Sequence, residues 1–217
     1  MEKMIENRSL VSDLTKPMLK DRTLSGYWLP FNTLSQPLIA ERGGQKVIFR
    51  EIIIPSALDS TDLTNTKCCL NHDETDLLGR VPNTLTISRD DRGMSFECIL
   101  PNIEIGDEVV EYTNRGDYQG NSFRYVTMVG DDAWERQADG TFIRTVNRIR
   151  AVLHIGPVFD PAFTQTDLTV AMRSLENSGI MIEVEEDESD EDSEDASAIG
   201  VDFKSVRSRR IDILEKY

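Results

Sequence analysis

The residues with chemistry to offer are few. Ser122 follows the stretch Gly116-Asp117-Tyr118-Gln119-Gly120-Asn121, in which two glycines flank a polar turn, and it opens an aromatic-rich extended segment containing Phe123, Tyr125 and Val126. A serine at the mouth of a strand can project its hydroxyl from a rigid element, which a nucleophile requires. A serine beside turn glycines ordinarily satisfies only local backbone, so Ser122 by itself identifies nothing. The chain has 2 histidines, His72 and His154, and each stands in a segment that could bring its imidazole to Ser122. Three other readings use nearby residues. A thiol hydrolase would pair Cys68 or Cys69 with His72, but that is a separation of at most four residues along one strand-to-loop segment, a poor base geometry. A metal hydrolase would use His72, Asp73 and His154, yet no HExxH-type spacing supports it. A non-enzymatic assembly protein would need none of these side chains.

The elements that must position them read as strands. Residues 1–24 form a polar lead-in, with helical character around Leu10–Leu19. From Gly26-Tyr27-Trp28-Leu29 onward the texture is β-like, and Val47 to Ile54 is a long apolar strand ended by Pro55. Ser56 to Thr66 accommodates a short helix, and Lys67-Cys68-Cys69-Leu70 delivers Asn71-His72-Asp73 at a strand-to-loop boundary, where sites tend to lie. Thr84 to Ile87 alternates, Asp90-Asp91-Arg92-Gly93 is a hairpin turn, and Met94, Phe96, Cys98 and Leu100 mark a half-buried strand. Gly106 to Arg115 suits one helix closed by Gly116. Strands over Ser122–Val129, Thr141–Val146 and Arg148–Ile155 follow before Pro157 and Pro161. In the last, Ile149, Ala151, Leu153 and Ile155 share one face, which puts His154 on the less apolar one with Arg148, Arg150 and Val152. The expected fold is α+β, an antiparallel, strand-dominated core with a few short helices.

Composition bounds the rest. With 217 residues, 39% of them hydrophobic, the chain can bury one good core. No run of about 18 apolar residues suggests a membrane span, and Met1 to Asp21 lacks the apolar stretch of a secretory signal. Three cysteines, two of them adjacent, do not make a disulfide framework and point to a reducing compartment, and without a CxxC pair no structural zinc is expected. The net charge is −15, but Glu183–Asp195 holds ten acidic residues in thirteen, leaving −5 for the remainder. That run repels itself and is expected to be disordered, with a basic cluster (Lys204, Arg207, Arg209, Arg210) and a helix near Val206–Leu214 behind it. It could serve as a handle for a basic partner. No basic patch with interleaved aromatics argues for nucleic acid.

Ordered blocks between Gly26 and Arg173 carry a resemblance. They are Gly26-Tyr27 with Phe31-Asn32, Phe49-Arg50-Glu51 with Ile54-Pro55-Ser56-Ala57, Leu70-Asn71-His72-Asp73, and Leu78-Gly79-Arg80. Leu85 to Gly93, Gly116-Asp117 with Ser122-Phe123, and Pro157-Val158 with Pro161-Ala162-Phe163 complete the series. In that order and spacing they resemble the prohead (procapsid) maturation proteases of tailed bacteriophages, serine peptidases related in fold to the herpesvirus assemblins. The resemblance implies a β-barrel-like, herpesvirus-protease-like core over residues 25–173, with a lead-in over 1–24 and an acidic extension over 174–217. It implies His72 as general base and Ser122 as nucleophile. At the third position, where many members carry glutamate, this chain has His154, which resembles the Ser-His-His arrangement of assemblins. Asn121 stands where methionine is usual and Arg124 where a small residue is usual. The loop Phe159–Phe163 is the expected source of oxyanion donors. A neutral third histidine stabilises an imidazolium less than a carboxylate does, so a modest turnover is expected. The substrates implied are scaffold and major capsid protein, and the chain itself, cleaved inside the viral procapsid in the host cytoplasm. The resemblance also admits a homodimer, and it calls for no cofactor, metal, nucleic acid or membrane. The competing expectation is a capsid assembly or scaffolding protein whose acidic tail docks on a basic surface.

Overall fold

The computed structural model describes residues 3–9, 13–42, 45–159 and 165–180. The chain divides into a unit from Met1 to Ile182 and a second from Glu183 to Tyr217. The acidic run, the basic cluster and the C-terminal helix expected from sequence all fall in the second and lie outside the described residues.

In chain order the strands are β1 (Lys3–Ser9), β2 (Met18–Lys20), β3 (Thr23–Pro30), β4 (Leu38–Arg42), β5 (Gln45–Ile53), β6 (Lys67–Cys69) and β7 (Leu77–Arg80). They continue as β8 (Leu85–Arg89), β9 (Gly93–Ile99), β10 (Gly120–Met128), β11 (Asp132–Arg136), β12 (Phe142–Val146) and β13 (Ala151–Val158). Two helices, α1 (Glu104–Arg115) and α2 (Gln165–Asn177), accompany them. The fold is thus α+β and mostly β. Among the described residues no helix is long and apolar enough to cross a membrane.

The strands form three open sheets, ordered β1-β10-β13-β6-β7, β11-β12-β5-β4 and β2-β3-β9-β8. The barrel-like core expected from the resemblance is not closed, because closure needs every edge strand to find a partner and each of these sheets ends in edges. Nor is the pairing wholly antiparallel: β12 runs parallel to β5, and β13 parallel to β6. The polar lead-in is a correction too. Lys3–Ser9 is a strand that pairs along its whole length with β10, and Asp13–Thr15 is a single 3-10 turn where a helix was expected. Alternation explains β1, since Met4, Glu6 and Arg8 are buried, and two of those three are charged, which hides the strand from a hydrophobicity reading.

The hairpin β8–β9 follows its sequence. Met94, Phe96 and Cys98 turn inward, and Asp90 closes the turn by accepting the Gly93 main-chain N–H at 3.0 Å. Helix α1 ends on Gly116 at φ 77°, a left-handed cap that glycine adopts without the steric cost of a Cβ. The main core gathers Leu24, Trp28, Leu29, Phe96, Phe123 and Tyr125, with the Trp28 and Phe123 rings 5.0 Å apart. A second cluster forms where Ala171, Met172 and Leu175 of α2 pack on Val47, Phe49 and Phe142 of the second sheet. The first and second sheets are joined by buried charge. Arg8 Nε lies 2.5 Å from Glu51 Oε1, and Arg144 Nη1 lies 2.5 Å from Glu6 Oε2 and 2.8 Å from Glu51 Oε2.

Candidate active site

Strand β10 places Ser122 in the middle of the first sheet, with Ser9 of β1 opposite it on one side and Gly156 of β13 on the other. Gly156 is needed for a close approach: a Cβ built there would stand 2.1 Å from the carbonyl oxygen of Cys69. Without that side chain, β13 runs against the end of β6, and the turn that leaves β6 arrives beside Ser122. The turn is Leu70–His72, in which Asn71 (φ 48°) and His72 (φ 63°) are successive left-handed residues. Asparagine tolerates that region and histidine does so less readily, so the turn holds a conformation with a cost of about 1–2 kcal/mol. Asn71 steadies it by accepting the Phe159 N–H on Oδ1 at 3.3 Å.

The result is a contact between residues 50 apart in sequence: His72 Nε2 stands 2.6 Å from Ser122 Oγ. Ser122 is 2% exposed, and its hydroxyl has a second acceptor, the Arg8 carbonyl at 2.9 Å. One hydroxyl proton therefore has two acceptors, a main-chain oxygen of β1 and the imidazole. His154, 1% exposed, sits opposite Arg124 on β13, and its ring centroid is 6.2 Å from that of His72 with 28° between planes. No hydrogen bond joins the two rings. Instead His154 Nε2 lies 3.0 Å from Glu74 Oε1, and the other Glu74 oxygen takes the Lys67 ammonium.

His154 is thus on a buried face, contrary to the expectation that it lies on the less apolar side. The reason is that Arg148 and Arg150, which made that face read as polar, precede β13, and within the strand the face of Val152 and His154 is the buried one. Arg124 pairs with His154 and Tyr125 with Val152, so Leu153 is an extra residue in β13. Val152 and His154 are buried while Leu153 is half-buried.

Burial pushes the His72 pKa down to about 4, helped by the nearby Arg124 charge and by His154. Burial also lowers His154, opposed by its bond to Glu74. Glu74 is held below the usual carboxylate range by Lys67 first and His154 second. Because the neutral His72 ring is the folded-state form, native stability should be greatest above pH 6.5 and decline as pH falls from there toward 4, where the unfolded chain binds the extra proton. An NMR titration of the His72 ring should show a midpoint near 4, and a midpoint near 6.5 would remove the burial argument.

The cysteines do not compete for the site. Cys68 and Cys69 are both buried, and burial, together with the Cys98 contact for Cys68, raises both thiols, Cys69 to about 11. Such thiols are poor nucleophiles. Asp73 spends its carboxylate on its own loop, accepting the Thr75 N–H at 2.8 Å and hydroxyl at 2.7 Å. Among the described residues no group of three His, Cys, Asp or Glu side chains could hold a metal ion. Of the expected oxyanion loop, Phe159 has its N–H committed to Asn71, and residues 160–163 lie outside the described residues. Sequence reasoning passed over Glu74, whose only signal was its place two residues beyond His72. It also passed over the Arg8 carbonyl, which as a main-chain atom leaves no signal in residue type.

Known proteins bear on this geometry. The family model described as caudovirus prohead serine protease matches residues 12–180. Among solved structures, that of the bacteriophage T4 capsid assembly protease is similar over 73% of this chain and 98% of its own, at 11% identity and a TM-score of 0.39. No curated protein matches.

Proposed function

We propose, from the premise that this chain belongs to the caudovirus prohead serine protease family, that it is a serine endopeptidase acting during maturation of a viral procapsid, with Ser122 as nucleophile and His72 as general base. The observation that carries the assignment is the 2.6 Å approach of His72 Nε2 to Ser122 Oγ. The imidazole takes the hydroxyl proton as Oγ bonds to the peptide carbonyl carbon, and returns it to the amine as the C–N bond breaks. His154 is the third member, acting through His72, in a Ser-His-His arrangement like that of the herpesvirus assemblins. The likeness to assemblins extends to the herpesvirus-protease-like core over residues 25–173. The substrates are scaffold, a segment of the major capsid protein and the chain itself, cut inside the procapsid in the host cytoplasm. The acidic extension over 174–217 serves as a targeting or self-processed segment, and the enzyme acts as a homodimer.

Ser122 is 2% exposed, so a substrate carbonyl reaches Oγ only when a segment covering it moves. A buried neutral base also extends the working range: protonated His72 cannot accept the serine proton, so cleavage should persist through pH 6.5 and be lost only toward 4.

The test is co-expression with the scaffold and capsid genes of the same virus, wild type against Ser122→Ala, with intact-mass analysis of the shell proteins. Wild type should yield truncated shell proteins and the variant full-length ones. Equal processing in both would remove Ser122 from the mechanism. An assembly protein with no peptidase activity would leave the shell proteins full-length in both.

A further inference from the structure

We infer that Glu74 is a positioning residue that fixes the proton arrangement of the whole His154–His72–Ser122 cluster. The inference deepens the peptidase reading and rests on it for its catalytic meaning, though its structural content stands alone.

Three observations combine. His154 Nε2 lies 3.0 Å from Glu74 Oε1. Among the described residues, both imidazoles leave a buried nitrogen without a hydrogen-bond partner, Nδ1 of His72 and Nδ1 of His154. Those rings are 6.2 Å apart between centroids, and the remaining His72 nitrogen, Nε2, is the one at Ser122.

An ionised carboxylate can only accept. Neutral His154 must therefore carry its proton on Nε2 to satisfy Glu74, which leaves a lone pair on His154 Nδ1. That lone pair is an acceptor for His72 Nδ1 once the rings, 6.2 Å apart between centroids, draw together. If His72 places its proton on Nδ1 to meet it, Nε2 is left with the lone pair that a general base needs toward Ser122. Each proton position follows from the one before it, and the chain of choices starts at Glu74. Drawing the two rings together would satisfy both orphaned nitrogens in one hydrogen bond. With the rings so drawn together, the His72 Nδ1 proton would stay on its nitrogen and donate to His154 as the serine proton moves to His72 Nε2, while the His154 Nε2 proton stays against the carboxylate. No proton has to leave the cluster.

The surroundings favour this role. Glu74 is 56% exposed and its second oxygen is held by Lys67, so it remains ionised and oriented. Lys67 stands directly opposite His154 in the β6–β13 pairing, and Arg124 opposite it in the β10–β13 pairing. Arg124 opposes protonation of both rings and Lys67 that of His154, and Glu74 is the anion that bonds to His154.

The experiment uses the full chain, as wild type, Glu74→Gln and Glu74→Ala. Imidazole nitrogen NMR reads the tautomers at pH 7, and the rate of Ser122 modification by a fluorophosphonate reads the nucleophile. Wild type should show His154 protonated on Nε2 and His72 on Nδ1. Glu74→Ala should mix the His154 tautomers and slow labelling by roughly tenfold, the scale of losing an outer-shell partner. Glu74→Gln, whose amide oxygen can still accept, should retain most of both. His154 protonated on Nδ1 in the wild type, or tautomers unchanged in Glu74→Ala, would overturn the inference. A wild type that shows the stated tautomers but resists the fluorophosphonate at every pH would count against the peptidase reading and uphold the placement of Glu74. Melting temperatures of the three proteins separate these outcomes from unfolding.

Discussion

Ser122→Ala and His72→Ala should each reduce cleavage of the capsid substrates by about ten-thousand-fold or more, and the double variant should lose no more than either alone. The lack of additivity is the informative part. A nucleophile and its base act in one step, so removing either disables the other, and whatever cleavage survives comes from binding and oxyanion stabilisation that both variants keep. Two residues with separate roles would multiply their effects. The fold should survive the serine change: the Ser122 hydroxyl has one proton to donate, to His72 or to the Arg8 carbonyl, and that buried hydrogen bond is worth about 1 kcal/mol. For a domain of this size that shifts the melting temperature by about 2–4 °C. Purified proteins, intact-mass readout of the cleaved segments and a parallel melt decide the matter. Multiplicative losses, or a serine variant that still cleaves, would separate the two residues and undo the assignment.

The elements that carry Ser122 and His72 were legible in the sequence because their local signals are strong, whereas the pairing of the two side chains was expected only from the resemblance. Ser122 follows a glycine-bounded turn into an aromatic strand, and His72 ends a short strand, and each element forms where its pattern places it. What the pattern could not carry was relative placement. The parallel pairing of β13 with β6 brings His154 opposite Lys67 and lets Glu74 reach back to both, a crossover with no signature in spacing. His154 was assigned to a polar face because Arg148 and Arg150 were counted in its strand, whereas β13 begins at Ala151 and buries Val152 and His154. Strand β1 was missed for a different reason. Its inward residues Glu6 and Arg8 read as surface, and they are buried only because Glu51 and Arg144, distant in the chain, meet them there. Helix α2 was passed over although Leu168, Ala171, Met172 and Leu175 recur at helical spacing, because the two prolines just before them read as the end of regular structure.

That buried charge cluster makes the second large prediction: Arg144→Met should destabilise the fold by about 3–5 kcal/mol, the cost of breaking a buried ionic set by removing one partner. Arg144 is fully buried and reaches Glu6, Glu51 and Asp132, at 2.5 Å for the closest oxygens of Glu6 and Asp132. Burial alone would raise Glu6, but Arg144 and Arg8 outweigh it and hold its pKa at about 2. The contribution of Glu6 is therefore present above its ordinary value of 4.5 and lost only as pH falls through about 2. Methionine fills much of the volume of arginine and supplies no charge, leaving Glu6 and Glu51 to share Arg8. The melting temperature at pH 7 should fall by roughly 10 °C or more. Replacing Glu6, Arg8, Glu51, Asp132 and Arg144 together by uncharged residues of similar size should cost far less, because none of the five charges is left without its partner. The effect should also be directional. The cluster fastens β1 to the second sheet, and Arg8 of β1 caps the Ser122 hydroxyl with its carbonyl. In Arg144→Met the amides of β1 should exchange with solvent before those of β10 and β13, and the nucleophile should become easier to label at temperatures where the rest of the sheet still holds. A variant that melts within a degree or two of wild type, or that opens uniformly, would show that β1 is held by its pairing with β10 and not by the charges beneath it.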